Sequence, residues 1–145
     1  MRYVLVMVAL LAMSLPAGAD RPGMAFLRLS PDARGGALLG GTSVLASDAT
    51  AVRHNPALLG NLEGMNLVLS HHQWVQDIRQ EFAAVALGGG THHIGVGFGY
   101  VDYGSLEYRE TASSEPLGSF SPSDLNVTIC YALRLRSDLS VGVSG

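Results

Sequence analysis

From Met65 onward, bulky apolar residues alternate with small or polar ones, and a period of two marks strands with two unlike faces. The clearest run sets Ile94, Val96, Phe98 and Tyr100 against Gly95, Gly97 and Gly99. Two predicted strands precede it. The first spans Met65 to about Trp74, with Met65, Leu67 and Leu69 opposite Asn66, Val68 and Ser70; the second spans about Ile78 to Leu87, where Ala83, Val85 and Leu87 share a face. Two more follow it. The fourth sets Leu125, Val127, Ile129 and Tyr131 against Asn126, Thr128, Cys130 and Ala132, and the fifth begins near Leu139 with Val141 and Val143. The connections are tight at Gly88-Gly89-Gly90-Thr91, long and polar from Tyr103 to Ser123, and tight again at Arg136-Ser137-Asp138. Such strands, with short and long connections in turn, form the pattern of a transmembrane antiparallel β-barrel. A soluble β-sandwich alternates as well. Glycine opposite the apolar residues of the third strand favours the barrel, because a sandwich needs a polar face toward water.

Residues 20–60 lack this alternation. Glycine pairs at 35–36 and 40–41 lead into Ser47-Asp48-Ala49-Thr50-Ala51-Val52, where Ser47 or Asp48 is suited to cap one or two helical turns. The helix is expected to stop at Asn55, since Pro56 pushes its predecessor out of the α region. Asn55 then caps a second short turn, with Pro56 at its first position and Gly60 as its terminator. The segment is therefore compact and kinked, and its paired glycines suit close backbone packing. Short turns lie on the periplasmic side of outer-membrane barrels, so the first strand rises from the periplasm and the junction at Val75 and Gln76 lies outside. Tyr100 and Tyr103 then fall near the outer rim, where tyrosines form an aromatic girdle.

Composition narrows the solvent question. Apolar residues make up 48% of the 145 and charged ones 14%, against a usual quarter, and 18 are Gly. The sequence has no Lys, which removes Schiff-base chemistry and the Walker-type phosphate loop. A net charge of −3 gives no footprint for nucleic acid, and the single Cys130 excludes an internal disulfide. Arg2, the apolar run Val4 to Leu15 and Ala17-Gly18-Ala19 read as a cleavable signal peptide over residues 1–19, leaving Asp20 first. The run is shorter than the ~20 residues of a spanning helix, and no cysteine follows it for lipid attachment. The expected organisation is a signal peptide (1–19), a plug-like segment (20–60) and the first strands of a barrel (61–145). The expected location is the outer membrane of a bacterial cell.

The stretch Ser30-Pro31-Asp32-Ala33-Arg34 through Gly40-Gly41, followed by Ser47-Asp48-Ala49-Thr50-Ala51-Val52-Arg53-His54-Asn55-Pro56-Ala57, resembles the start of the PorV/PorQ-like outer-membrane proteins within the FadL-like barrels. Gln76-Asp77-Ile78-Arg79 and Phe120-Ser121-Pro122-Ser123-Asp124-Leu125 are similar to members of that group too. The likeness covers about residues 24–145. It implies a longer barrel with an N-terminal plug, of which this chain carries the first five strands. One branch moves hydrophobic small molecules across the outer membrane, and another serves type IX secretion of protein cargo. The implied partners are thus outer-membrane lipid and either a hydrophobic ligand or a secreted protein. In the plug, Asp48, Asn55, Pro56 and Ala57 are the positions of interest, either shaping the turn or lying near a ligand.

No catalytic chemistry is expected. Gly-x-Ser-x-Gly and His-Glu-x-x-His motifs are missing, and Gly95-x-Gly97-x-Gly99 lies within a strand at a spacing unlike the dinucleotide fingerprint. His71-His72 and His92-His93 invite a metal, but they fall at opposite ends of the apolar band, and adjacent residues of a strand point to opposite faces. No metal or cofactor is therefore expected, and Cys130 falls on the small-residue face.

Overall fold

A computed structural model describes residues 25–38, 41–109 and 115–145; the expected signal peptide, Asp20 and Gly40 lie outside the described residues. Three single helical turns come first, α1 (Ala33–Ala37), α2 (Thr42–Leu45) and α3 (Ala51–His54), with 3-10 turns at Ala25–Arg28 and Pro56–Asn61. Seven strands follow: β1 (Gly64–Gln73), β2 (Arg79–Gly89), β3 (His92–Asp102), β4 (Leu106–Tyr108), β5 (Gly118–Phe120), β6 (Ser123–Arg136) and β7 (Leu139–Ser144). The chain is mostly β, and its sheets are antiparallel. No helix among the described residues is long and apolar enough to cross a membrane, which says nothing of strands.

The main sheet has the order β1-β2-β3-β6-β7, so each strand lies beside its neighbour in that series. It is open, not closed into a barrel. The five strands match the five alternating runs but extend past them, to His92 and Asp102 in β3 and to Arg136 in β6. Backbone pairing does not require apolar side chains, so the ladder continues where the hydrophobic signal stops. Gly90, at φ 62°, makes the tight β2–β3 turn in the left-handed region that glycine enters without steric cost. The β1–β2 connection holds Gln76 and Asp77 in the same region, at φ 61° and 59°, and the Trp74 amide closes it by donating to the Ile78 carbonyl at 2.8 Å.

The connection expected as a plain polar loop contains a small ribbon instead. β4 and β5 pair Leu106 with Phe120 and Tyr108 with Gly118. Three-residue strands are too short to show a period of two, which is why the pattern along the chain did not predict them.

Residues 25–38 and 41–62 lie across one face of the main sheet. Ala46, Ala49, Ala51, Val52, Leu59 and Leu62 pack there against Phe82, Ala84 and Ala86 of β2 and Cys130 and Ala132 of β6. The helix expected from Ser47 or Asp48 is a single turn that stops at Asn55 as expected, but it starts later, with Thr50 in the capping position. Asp48 Oδ1 accepts from the Thr50 amide at 2.9 Å, which caps the preceding turn, and the helix proper begins at Ala51. Asn55 Oδ1 accepts from the Ala57 amide at 3.1 Å, with Pro56 at the first position of a 3-10 turn that runs to Asn61.

Candidate functional site: two unlike faces of one sheet

The register aligns the bulky residues into rows. Met65, Leu87, Ile94, Tyr131 and Val143 lie side by side across the five strands; Leu67, Val85, Val96 and Ile129 form the next row; Leu69, Ala83, Phe98 and Val127 form the third. Nothing among the described residues covers this outer face. Met65 is 71% exposed, Leu69 72% and Ile129 65%. Polar residues bound it at one end, in the row Gln73, Arg79, Asp102 and Ser123, and Arg136 and Asp138 bound it at the other. His71 and Glu81 face each other on the first boundary at 2.6 Å, in the row that continues through Tyr100 to Leu125.

The opposite face is small and covered. Gly95, Gly97 and Gly99 of β3 lie opposite Ala86, Ala84 and Phe82 of β2, and opposite Cys130, Thr128 and Asn126 of β6. A β-carbon at Gly95 would stand 2.5 Å from Val52 Cγ2, and one at Gly97 would stand 2.9 Å from Val52 Cγ1. A β-carbon at either position would force Val52 to shift. Farther along, a β-carbon at Gly142 would stand 2.5 Å from the Ala57 nitrogen and 2.6 Å from the Pro56 carbonyl carbon, and one at Gly88 would collide with the Leu62 carbonyl oxygen. The Cys130 thiol donates to the Val52 carbonyl at 3.3 Å.

The four positions singled out from the sequence divide into two places. Asn55, Pro56 and Ala57 form one joint: Asn55 Nδ2 donates to the Ser43 carbonyl at 3.1 Å, its Oδ1 receives the Ala57 amide, and the Pro56–Ala57 backbone rests over Gly142. Asp48 bonds to the Thr50 amide and hydroxyl, within its own turn. The pairs His54 Nε2 to Asp32 Oδ2 at 3.5 Å and His54 Nδ1 to Thr42 Oγ1 at 3.3 Å link α1, α2 and α3. The order hydroxyl, imidazole, carboxylate is that of a hydrolytic triad. Thr42 is buried, at 1% exposure, and the cluster ties the three helical turns together. Val52, Leu62 and Gly142 were missed in the sequence. Their only signal there was the small face of the strands, which does not say what fills it.

No known protein family, curated protein or solved structure matches the chain.

The seam between the N-terminal segment and the sheet is close under Phe26 and Arg53 and wider beside the β6–β7 turn, where Ala57, Leu58 and Asn61 face Ser137, Asp138 and Ser140 across about 360 Å³. Between Phe26, Pro31 and Arg53 on one side and Gln80, Gly99 and Asn126 on the other, a cavity of about 10 Å³ remains, roughly the size of one water. Burial pulls the Arg53 guanidinium below its ordinary pKa. Gln80 Oε1 and both ring nitrogens of His93 are buried without a hydrogen-bond partner among the described residues. His93 points to the covered face, whereas His92 pairs with the Tyr131 hydroxyl at 2.7 Å. Among the described residues no three His, Cys, Asp or Glu side chains come together as a metal site would require.

Tyr103, expected near the outer rim, directly follows the Asp102 end of β3. Its hydroxyl donates to Asp124 Oδ2 at 2.8 Å, and Asp124 pairs in register with buried Val101 on the covered side. Burial, then the hydrogen bond and negative charge of Asp124, raise the phenol above its ordinary value of 10.0. A pKa raised on folding gives stability that is full below the unfolded value and lost as pH rises through the folded one. The Tyr103 anchor is therefore expected to hold at neutral pH and to release only above pH 10.0. The difference in alkaline ultraviolet titration between the wild type and Tyr103→Phe measures this, and Asp124→Asn is expected to move the midpoint down.

The packing of Val52 permits a direct covalent check. Its Cβ lies 3.8 Å from the position of a β-carbon on Gly97, the mean separation across a disulfide. In a Cys130→Ala background, Val52→Cys with Gly97→Cys is expected to crosslink in most molecules under mild oxidation, read as a mobility shift on a non-reducing gel. A chain in which residues 25–62 do not lie on this face would give no crosslink.

Proposed function

We propose that the chain forms the first strands and the plug of an outer-membrane β-barrel protein of the PorV/FadL-like type, which transports hydrophobic small molecules across the outer membrane. One observation carries this reading: the bulky residues occupy the bare face and the small ones the covered face. In a water-facing sheet the assignment is the reverse, because each Val, Leu, Ile or Phe left exposed forfeits about 1.5–3 kcal/mol of burial. Hydrocarbon as the solvent of the outer face removes that penalty. The dimensions agree: Leu125 to Leu133 on β6 spans about 27 Å along the strand at ~3.4 Å per residue, or about 21 Å along a normal inclined by ~40°, against a typical band of ~25 Å. The resemblance of the Asp48 to Ala57 stretch supports the assignment of residues 20–60 to a plug.

A second reading, a non-conducting component of a protein secretion system, is favoured by the direct seating of the Pro56–Ala57 backbone on Gly142 and of the Leu62 carbonyl on Gly88. Both readings place the chain in lipid, without catalytic activity, cofactor or nucleic-acid partner. The test is fractionation followed by reconstitution. The whole barrel that these strands begin is expected in the outer-membrane fraction, and vesicles that contain that barrel are expected to take up a labelled fatty acid faster than empty ones. Insertion without uptake would leave the secretion reading, and a water-soluble monomer would overturn both.

A further inference from the structure

We propose that the outer face carries a fixed binding site for one phosphate-bearing acyl lipid, with a hydrocarbon chain over Ala83 and the phosphate on Arg79. The site rests on the reading of that face as lipid-facing, and adds to it a place and a chemistry for one molecule. It begins with a small side chain among large ones. In the row Leu69, Ala83, Phe98 and Val127, β2 contributes a single methyl group, whereas it contributes Val85 and Leu87 to the other two rows. Leu69 and Phe98 stand two strand spacings apart, about 9.5 Å, so Ala83 leaves between them a notch wide enough for one hydrocarbon chain. The result is an open groove of about 430 Å³ lined by Leu69, His71, Glu81, Ala83 and Phe98. That volume falls within the ~300–1,000 Å³ of small-ligand clefts.

The groove is polar at one end only. Arg79, Glu81, Ala83 and Val85 alternate with buried Gln80, Phe82 and Ala84, which places all four on the bare face. Glu81 and Arg79 follow Ala83 toward the polar boundary at about 7 and 14 Å along the strand. A glycerolipid has its parts in the same order: hydrocarbon, ester carbonyls, phosphate. At the middle level, Glu81 Oε1 and His71 Nδ1 are paired at 2.6 Å, which occupies the carboxylate and leaves Nε2 for the ester or hydroxyl groups of a lipid. At the outer level, the exposed Arg79 side chain forms no hydrogen bond or ion pair among the described residues. Its register partner Asp102 accepts instead from the Gly104 amide, at 2.9 Å. A guanidinium without a partner at the edge of an apolar groove is complementary to a phosphate, which its planar fork meets with two parallel hydrogen bonds.

Native mass spectrometry tests the site on the whole barrel that these strands begin, released from a non-ionic detergent after addition of phosphatidylglycerol or of digalactosyldiacylglycerol with the same acyl chains. The two lipids differ in the phosphate. The wild type is expected to retain phosphatidylglycerol at least about fivefold more strongly, since a hydrogen bond to a charged group is at stake. Arg79→Gln is expected to remove that preference, and Arg136→Gln, at the opposite boundary, to keep it. Ala83→Leu is expected to lower retention of both lipids at least about fivefold, because the added side chain fills the notch and takes the place of the buried hydrocarbon. Residues 79 and 83 lie on the bare face, so neither substitution disturbs the packing beneath the sheet. Equal retention of the two lipids by the wild type, loss of the preference in both arginine variants, or retention that Ala83→Leu leaves unchanged would overturn the site. A barrel that inserts into vesicles without this selectivity overturns the site alone, whereas one that is soluble without lipid or detergent overturns the lipid reading as well.

Discussion

Replacing Ile129 with Arg is expected to cost about 2–4 kcal/mol of folding free energy in a lipid bilayer, while Leu125→Arg costs only about 0–1 kcal/mol. Ile129 is the middle outward residue of β6, and Leu125 stands at the polar boundary beside Tyr100. Both are exposed, at 65% and 54%. On a sheet that faces water, a charge at either site would change stability by no more than about 0.5 kcal/mol. In hydrocarbon the cost rises with depth, because the guanidinium at the midplane is farthest from the headgroups. Denaturant titration of both variants in lipid vesicles separates the cases, and equal, small costs would remove the lipid reading.

Gly142→Ala is expected to destabilise the fold by about 1–3 kcal/mol, whereas Gly89→Ala changes little. The new methyl group at 142 meets backbone atoms of Pro56 and Ala57, and main chain cannot rotate away as a flexible side chain does. At Gly89 nothing lies within 4 Å. Neither glycine has a positive φ, so alanine fits the backbone at both, and packing alone separates them. Thermal or urea unfolding measures the difference. Similar small shifts in both variants would show that residues 56–62 do not rest on β7.

Legibility along the chain followed the physics of each signal. The five strands of the main sheet could be read because alternation is set by the pleat, which sends successive side chains to opposite faces whatever the strand pairs with. Asn55 as cap and Pro56 as first residue of a turn could be read because both effects are local to two or three residues. Tyr103 could not, since its direction depends on Asp124, twenty-one residues away in sequence and adjacent only after β3 and β6 pair. β2 was ambiguous for another reason. Phe82, Ala84 and Ala86 are apolar as well as Ala83, Val85 and Leu87, and the covered set was decided by the arrival of Val52, Leu59 and Leu62.

The sequence by itself determined an antiparallel β chain with one bulky and one small face, a kinked non-β segment ahead of it, and a joint at Asn55 and Pro56. Each of these follows from side-chain volume and backbone preference within a few residues. Only the tertiary structure decided that the small face is the covered one, that residues 41–62 cover it, and that the glycines of β3 and β7 are seats for Val52 and the Pro56–Ala57 backbone. Those outcomes depend on which distant surfaces meet, and the removal of a β-carbon leaves no trace in the sequence of what will fill its place.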